Sequence, residues 1–440
     1  MTEPTGKREL GLRDLTLFAL TCVVSARWMP LAAHAGPGSV TLWLLAAALF
    51  AVPLTAAVAA LVAKNPKAGG IYVWPRQDFG PWHGFFCGWV YWIGIAFLFP
   101  TAAMLFARVG FSLLGPDQAH LGESRVYLLT ATLALIWIAL GANLVGLKIG
   151  KWAENLGAVA TVTIGLLLAV VASLVWTRRG SATPMHIAPT WNWGTVSFWA
   201  AIAYATSGME GPGMMAGEVK DPERTMRRAG WIATGLAVVV YVAATVAFLV
   251  ILPPDQISEL NGFANVTHSA GLLLGAPWLS PVVAVLVLIS GVGLVGGLGT
   301  ATSQLPLAAA ADGLLPKAFA KVHPRWGTPH VSILALGLVS SFLLLVYQAG
   351  DSMRAAYDEL ISLMVITGFI PYLYIFGSAW KAGKRLSAVS GSAVTVLALV
   401  CAMVPPGGIT NVWLFEGKLV GGTVVVAVSA WLVYRKHQPA

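Results

Sequence analysis

The sequence predicts an all-α polytopic membrane protein with twelve transmembrane helices, and three observations carry that prediction. The 440-residue chain is 57% hydrophobic and only 10% charged, with mean hydropathy +0.76; a soluble protein carries about 25% charged residues. Apolar runs of about 20 residues, the length a helix needs to cross the hydrocarbon core, recur twelve times. Lysine and arginine then gather on alternate connections, as expected for a chain threaded back and forth through a bilayer. The eighteen tryptophans suit side chains that anchor at the membrane interface.

In chain order the runs lie at 14–36, 40–62, 83–113, 125–145, 153–176, 196–217, 229–252, 279–311, 331–347, 355–379, 387–404 and 413–434. The first ten residues are polar, and no small-residue cleavage signal follows the first run, so no removed signal peptide is expected. With the N-terminus inside, the cytoplasmic segments hold twenty lysines and arginines against five outside, and Arg27 and Arg108 within spans complete the 27. That asymmetry predicts cytoplasmic termini and accounts for the net charge of +9. The basic residues are scattered through short loops, which excludes the basic face a nucleic-acid partner needs. Cys22, Cys87 and Cys401 fall in apolar runs and read as small core hydrophobes without a disulfide framework.

Two runs are broken. The first is interrupted around Ser25-Ala26-Arg27-Trp28-Met29-Pro30 and at Gly36-Pro37-Gly38, and the sixth from Ser207 to Gly213. Glycine and proline weaken a helix, and within a bilayer a break survives only where it is buried in protein or lines a wet cavity. Glu210 sits in the second break, and an ionisable group there is a functional-site candidate. Breaks at corresponding places five spans apart point to inverted repeats with a solute site between them. The competing reading is that glycine and proline are simply common in membrane helices; the matched breaks, each with a charge, favour the site.

With these residues in place, the chain resembles the amino acid–polyamine–organocation (APC) transporters over nearly its whole length. Pro66-Lys67-Ala68-Gly69-Gly70-Ile71-Tyr72-Val73-Trp74-Pro75, with Phe79-Gly80-Pro81 and Gly84 to Trp89, is similar to that family's signature loop. Gly208-Met209-Glu210 and Glu218 to Pro222 match its sixth-span pattern, and Ala311 to Pro316 with Gly327-Thr328-Pro329 match a third signature. Around Ser25 to Gly38 the chain is loosely similar to the glutamate/γ-aminobutyrate and arginine/agmatine antiporter branch. The resemblance implies the five-plus-five inverted-repeat fold shared with the neurotransmitter:sodium symporters, with discontinuous first and sixth helices. It divides the chain into an N-terminal segment (1–13), a first repeat (14–176), a second repeat (196–379), two further helices (387–434) and a tail (435–440).

The resemblance also implies amino acid or amine substrates bound at mid-membrane. Carried over by position, Val24, Ser25, Ala26 and Arg27 with Ser207 and Gly208 are the substrate-binding candidates, Tyr204 is an aromatic gate and binding residue, and Glu210 is the proton-coupling carboxylate. Val23 begins the first break. Three departures stand out: the first break lacks glycine, Arg27 follows it where relatives are uncharged, and the fifth span has Ala160 or Thr161 where some proton-coupled relatives have lysine.

The chemistry of such a site is specific. A substrate carboxylate needs donors, which the N–H groups of Ser25 to Met29 and the Ser25 hydroxyl supply. Its ammonium needs acceptors, which the freed carbonyls of Tyr204 to Gly208 supply. Trp199 and Trp92 are further candidate walls. Two functional readings stand for Arg27, binding a second substrate carboxylate or pairing with Glu210; the bland one has it snorkelling or bonded to a helix carbonyl. Arg108 reads as a snorkelling residue. Glu154, Asp358 and Glu359 read as solvated helix ends, and His34 as a hydrogen-bonded core residue more than a proton carrier. Glu218 to Arg224 with Arg227 form a charge latch or a solvated loop. Thr300, Thr302 and Ser303 offer oxygens to sodium, or cap helix carbonyls.

No enzyme constellation is visible: the eight histidines show no metal-ligand spacing and there is no phosphate-binding loop, so neither enzyme chemistry, a metal nor a cofactor is expected. The expected function is secondary active transport of amino acids or amines in a plasma or inner membrane, with protons or sodium as coupling ion and lipid as the surrounding partner. The runner-up is a polyamine or cationic amine carrier, and a non-transporting sensor on the same scaffold is the alternative from another class.

Overall fold

The structure is a computed structural model and describes residues 9–114, 120–121, 124–189, 193–258, 260–348, 353–404 and 412–437. Among them every element is helical apart from an isolated parallel bridge between Leu10 and Val219. The first run forms α1 (Leu12–Val23) and α2 (Trp28–His34), bent by 43° at their break. The second forms α3 (Gly38–Ala46), a π-turn (Ala47–Ala51) and α4 (Val52–Lys64). A short helix not anticipated from periodicity, α5 (Gly70–Phe79), carries the signature loop and leads into α6 (Pro81–Gly110). Then follow α7 (Arg125–Leu144), α8 (Leu147–Arg179), and the broken pair α9 (Trp193–Ala205) and α10 (Glu210–Met214). After α11 (Pro222–Ile251) comes a second short connecting helix, α12 (Gly262–Leu274), and then α13 (Leu279–Ala311) and α14 (His330–Gln348). The chain closes with α15 (Met353–Lys381), α16 (Arg385–Ala402) and α17 (Val412–His437).

Among the described residues nine helices are long and apolar enough to cross a membrane, ten when α1 and α2 count as one span. Two of the twelve predicted runs fall outside that count. The sixth is divided between α9 and α10, and the ninth, α14, has a shorter apolar window, His330–Val346. Every predicted run is nonetheless helical. Large apolar side chains such as Leu49, Val126, Leu166, Phe342, Leu386 and Trp413 stay exposed around the outside. That much apolar surface is stable in lipid and not in water.

The bundle is organised around α6, whose most apolar window is 94% buried, against 17% for the peripheral α17. Helices α8 and α13 approach until backbone meets backbone. A methyl on Gly157 or Gly293 would lie 2.5 Å from the other's Cα, the small-residue contact by which membrane helices pack closely. This pairing fixes the wall against which α1 and its break rest. All three cysteines are free and buried.

Candidate functional site

The first break begins where α1 ends at Val23 and Val24 turns extended (φ −97°, ψ 115°). No glycine permits it, so the freed backbone groups need partners from elsewhere. Tyr241 of α11 supplies them. Its hydroxyl donates to Val23 O at 2.8 Å and accepts from Ser25 N at 2.9 Å. The ring is stacked on Trp43 at 4.3 Å, and Trp43 Nε1 donates to Thr245 Oγ1 at 3.0 Å. A tyrosine staple thus substitutes for the missing glycines.

The second break runs from Thr206 to Met209 between α9 and α10. Gly208 has φ +113°, and a methyl there would lie 2.4 Å from Cys22 O. Only glycine combines that backbone conformation with that approach. The two breaks therefore touch, Cys22 and Val23 against Gly208. Glu210, 1% exposed, closes the junction: Oε1 accepts from Tyr91 Oη at 2.8 Å and Tyr372 Oη at 2.7 Å, and Oε2 accepts from Gly208 N at 3.1 Å. One side chain so joins α6, α10, α15 and the break itself.

Arg27 is 2% exposed and does not snorkel. Its guanidinium carbon lies 3.9 Å over the Trp28 ring, Nη1 donates to Thr101 Oγ1 at 2.7 Å, and Nη2 contacts Met364 Sδ at 3.1 Å. Glu210 is satisfied by two tyrosines and a backbone amide, a tyrosine cage. The Tyr204 ring meets Trp28 edge-on at 6.2 Å and Phe369 at 5.4 Å, and it lies against Gly368, where a methyl would come 2.3 Å from its ring.

These groups enclose a cavity of about 30 Å³, lined among others by Ser25, Arg27, Trp28, Tyr204, Ser207 and Glu210. That is room for a water or two and no more. Ser25 Oγ is buried there without a hydrogen-bond partner. Of the predicted residues, Ser25, Arg27, Tyr204, Ser207, Gly208 and Glu210 come together; Val24 and Ala26 are buried in the break but do not line the cavity. Trp28, not Trp92 or Trp199, is the second aromatic wall; Trp92 lines a separate apolar groove with Phe85 and Phe319.

A second, larger cavity of about 630 Å³ opens between α1, α8 and α13, at the end of the bundle that carries Arg13 and Lys151; Glu154, Glu218 and Thr300 also line it. Glu154 corrects the sequence expectation. It is 5% exposed, with Oε1 accepting from Thr300 Oγ1 at 2.8 Å, because α8 begins seven residues before it and α1 packs across it: Thr21 Oγ1 donates to Glu154 O at 2.9 Å. Glu218 is partly buried, and its backbone oxygen accepts from Glu9 N and Leu10 N, while Arg224 and Arg227 are exposed. Thr302 and Ser303 cap the helix carbonyls of Leu298 and Thr300. His34 Nδ1 bonds to Ile257 O at 2.6 Å, and Arg108 Nε donates to Asn261 Oδ1 at 2.5 Å. Glu359 pairs with Lys418 at 2.6 Å, and the Asp358 side chain lies outside the described residues.

The three sequence signatures converge at this same end. Tyr72 Oη donates to Asp312 Oδ2 at 2.5 Å and Arg76 pairs with Asp312 Oδ1 at 3.1 Å, while Gly69 N donates to Met214 O at 2.9 Å. The loop after the second run thus bridges the sixth and eighth. Sequence reasoning missed Tyr91, Tyr241 and Tyr372; the available signal was a hydroxyl placed mid-span in an otherwise apolar helix.

The chain is similar in sequence to proteins named as transporters. An uncharacterized transporter of Legionella pneumophila is 28% identical over 456 residues, covering 98% of this chain and 97% of the relative. An uncharacterized transporter of Mycobacterium tuberculosis is 29% identical over 343 residues, covering 77% and 73%. The cadaverine/lysine antiporter of Escherichia coli K12 is 27% identical over 384 residues, covering 82% of each. The sequence profile of the amino acid permease family matches residues 10–416. The chain is a multi-pass membrane transporter and belongs to the amino acid permease family of the APC superfamily.

Proposed function

We propose that this transporter carries amino acids or related amines by alternating access, through twelve spans arranged as inverted repeats (14–176 and 196–379) with both termini in the cytoplasm. The observation that carries this reading is the contact of two helix breaks around a small cavity holding an unpartnered hydroxyl, Ser25 Oγ, and a buried cation, Arg27. Ser25 and Arg27 offer donors to a carboxylate. Tyr204 and Trp28 wall the site from water. At about 30 Å³ the cavity is too small for an amino acid, so binding requires the breaks to move apart. The cavity of about 630 Å³ then belongs to the cytoplasmic approach. Glu210 ties the second break to α6 and α15, and that break rests on the first at Gly208, so a change in its protonation is felt by the site; this supports proton coupling, with sodium as the alternative ion.

A second reading, a carrier of cationic amines, is favoured by the name of the Escherichia coli relative, which is 27% identical. Arg27 opposes it, because a fixed cation repels dications. The deciding experiment is uptake by purified protein in liposomes across a panel of amino acids, cadaverine and putrescine, under imposed proton or sodium gradients. Zwitterionic or acidic amino acids are expected to be preferred. Arg27→Ala is expected to impair their transport, and Arg27→Lys to restore it only in part, since a point charge lacks the planar fork. Saturable transport of dications that ignores Arg27→Ala sinks the first reading in favour of the second, and binding without accumulation points to a sensor.

A further inference from the structure

Asn143 of α7 is 4% exposed. Its amide nitrogen donates to Gly296 O at 2.6 Å, a bond only the NH₂ end can make, so the carboxamide's orientation is fixed. Its Oδ1 is left buried with no hydrogen-bond partner. That oxygen and Glu154 border the same small space: a methyl at Gly150 would lie 3.0 Å from Asn143 Oδ1 and 3.7 Å from Glu154 Oε1. A methyl at Gly296 would lie 3.5 Å from the same amide oxygen and 3.9 Å from Glu154 Cγ. An amide oxygen and a carboxylate are both acceptors only, and packing them together in a buried site is costly without a donor between them.

A carboxyl proton is the smallest donor that answers this need. The cavity lined by Asn143, Gly150, Glu218, Thr300, Ser303 and Gln304 is only about 20 Å³, space for about one water. Among the described residues no group of three carboxylate, histidine or cysteine side chains gathers to hold a metal ion. Glu218 and Thr300 line both this cavity and the large one, which gives the site a path to water.

We propose that Glu154 is a proton-carrying site distinct from Glu210, its O–H donating to Asn143 Oδ1 and exchanging with the large cavity past Glu218. The charged groups facing it are Arg13 and Asp14 of α1, Glu9 before it, Glu218, and Lys151 on its own helix, which is already paired with Asp14 at 2.6 Å. The residues of α7 and α13 on these two cavities are uncharged. Loading adds one proton from water to the Glu154 carboxylate; unloading returns it. The place of this proton in a cycle rests on the transporter reading above, but its presence does not.

The test is infrared difference spectroscopy of the purified protein during a pH titration, which requires no transport. A protonated-carboxyl C=O band is expected that is absent in Glu154→Gln and moves to higher frequency in Asn143→Leu, which removes the acceptor but keeps the acid. In liposomes, the pH response of transport, about tenfold as for a typical coupling between two sites, is expected to fall below about twofold in Glu154→Gln. The proposal is overturned if neither variant alters the band, if only Glu210→Gln removes it, or if sodium at constant pH and ionic strength abolishes it in the wild type. A wild type that carries nothing in liposomes defeats the transporter reading while the spectra still decide the proton site.

Discussion

Glu210 and Glu154 are both buried glutamates in the middle of an apolar chain, yet the fold surrounds them with opposite chemistry. Glu210 faces three donors, two tyrosine hydroxyls and the Gly208 amide. Glu154 has one donor, Thr300, and the buried Asn143 Oδ1, an acceptor with nothing to accept, borders the same space. The surroundings of the first complete a carboxylate's hydrogen bonds and tie four segments together at the closed junction. Those of the second call for a proton and lie beside a large cavity. Burial alone therefore does not say what a membrane carboxylate does; the balance of donors and acceptors around it does.

The largest effect that separates the two regions is expected at Gly208. Gly208→Ala places a methyl 2.4 Å from Cys22 O in a backbone region side chains avoid. Strain of about 1–3 kcal/mol or more is expected, with loss of uptake and a lower unfolding temperature in detergent. A variant that transports normally would show that the two breaks do not touch as described. Next comes the cage. Glu210→Gln keeps one acceptor for the tyrosines but turns an NH₂ group toward Gly208 N, at a cost of about 1–3 kcal/mol. Uptake is expected to fall at every pH and to lose its pH response. A wild-type pH profile in that variant would remove Glu210 from coupling and leave Glu154 alone in that role.

Tyr241→Phe tests whether the first break depends on its staple. It leaves Val23 O and Ser25 N without their partner, and a loss of about 1–3 kcal/mol of stability is expected. Substrate affinity should weaken along with it, since Ser25 sits in the cavity wall. If thermal unfolding and uptake both match wild type, the staple carries no weight and the break is held by packing alone.

The apolar runs and the two breaks were legible because they depend on local chemistry: hydropathy over about 20 residues, and the helix-weakening of glycine and proline near a charge. Gly208 and Glu210 were legible for the same reason, whereas Tyr204 and Ser207 were placed by position through the family resemblance. What holds Glu210 was not legible. Tyr91 and Tyr372 come from two other helices, and, like Tyr241 at the first break, a tyrosine in an apolar run looks the same whether it packs or bonds. Glu154 was misread because it lies near a helix start by sequence, whereas α1, distant in the chain, covers it. Asn143 drew no notice, for its significance lies in an oxygen left over after its nitrogen has bonded Gly296.

The smallest expected effect concerns Glu218, which sits outside the spans and between the two cavities. Burial pushes its carboxyl up to about 7, from the ordinary 4.5, and the Glu154 and Glu9 carboxylates add to the rise. A group whose folded-state value is raised binds its proton more tightly in the folded state, so protons favour folding. The contribution is fully present below about 4.5 and is lost as pH rises through about 7. Wild-type thermal stability in detergent should therefore fall from about pH 5 to about pH 8, by something of order 1 kcal/mol after screening by water in the cavity. Glutamine resembles the protonated acid, so Glu218→Gln should match wild type at the acid end and exceed it at the alkaline end. If both proteins lose stability in parallel across that range, the titrating group is another one, and Glu154 is the first to test. The double variant with Glu154→Gln would then flatten the curve where Glu218→Gln alone had not.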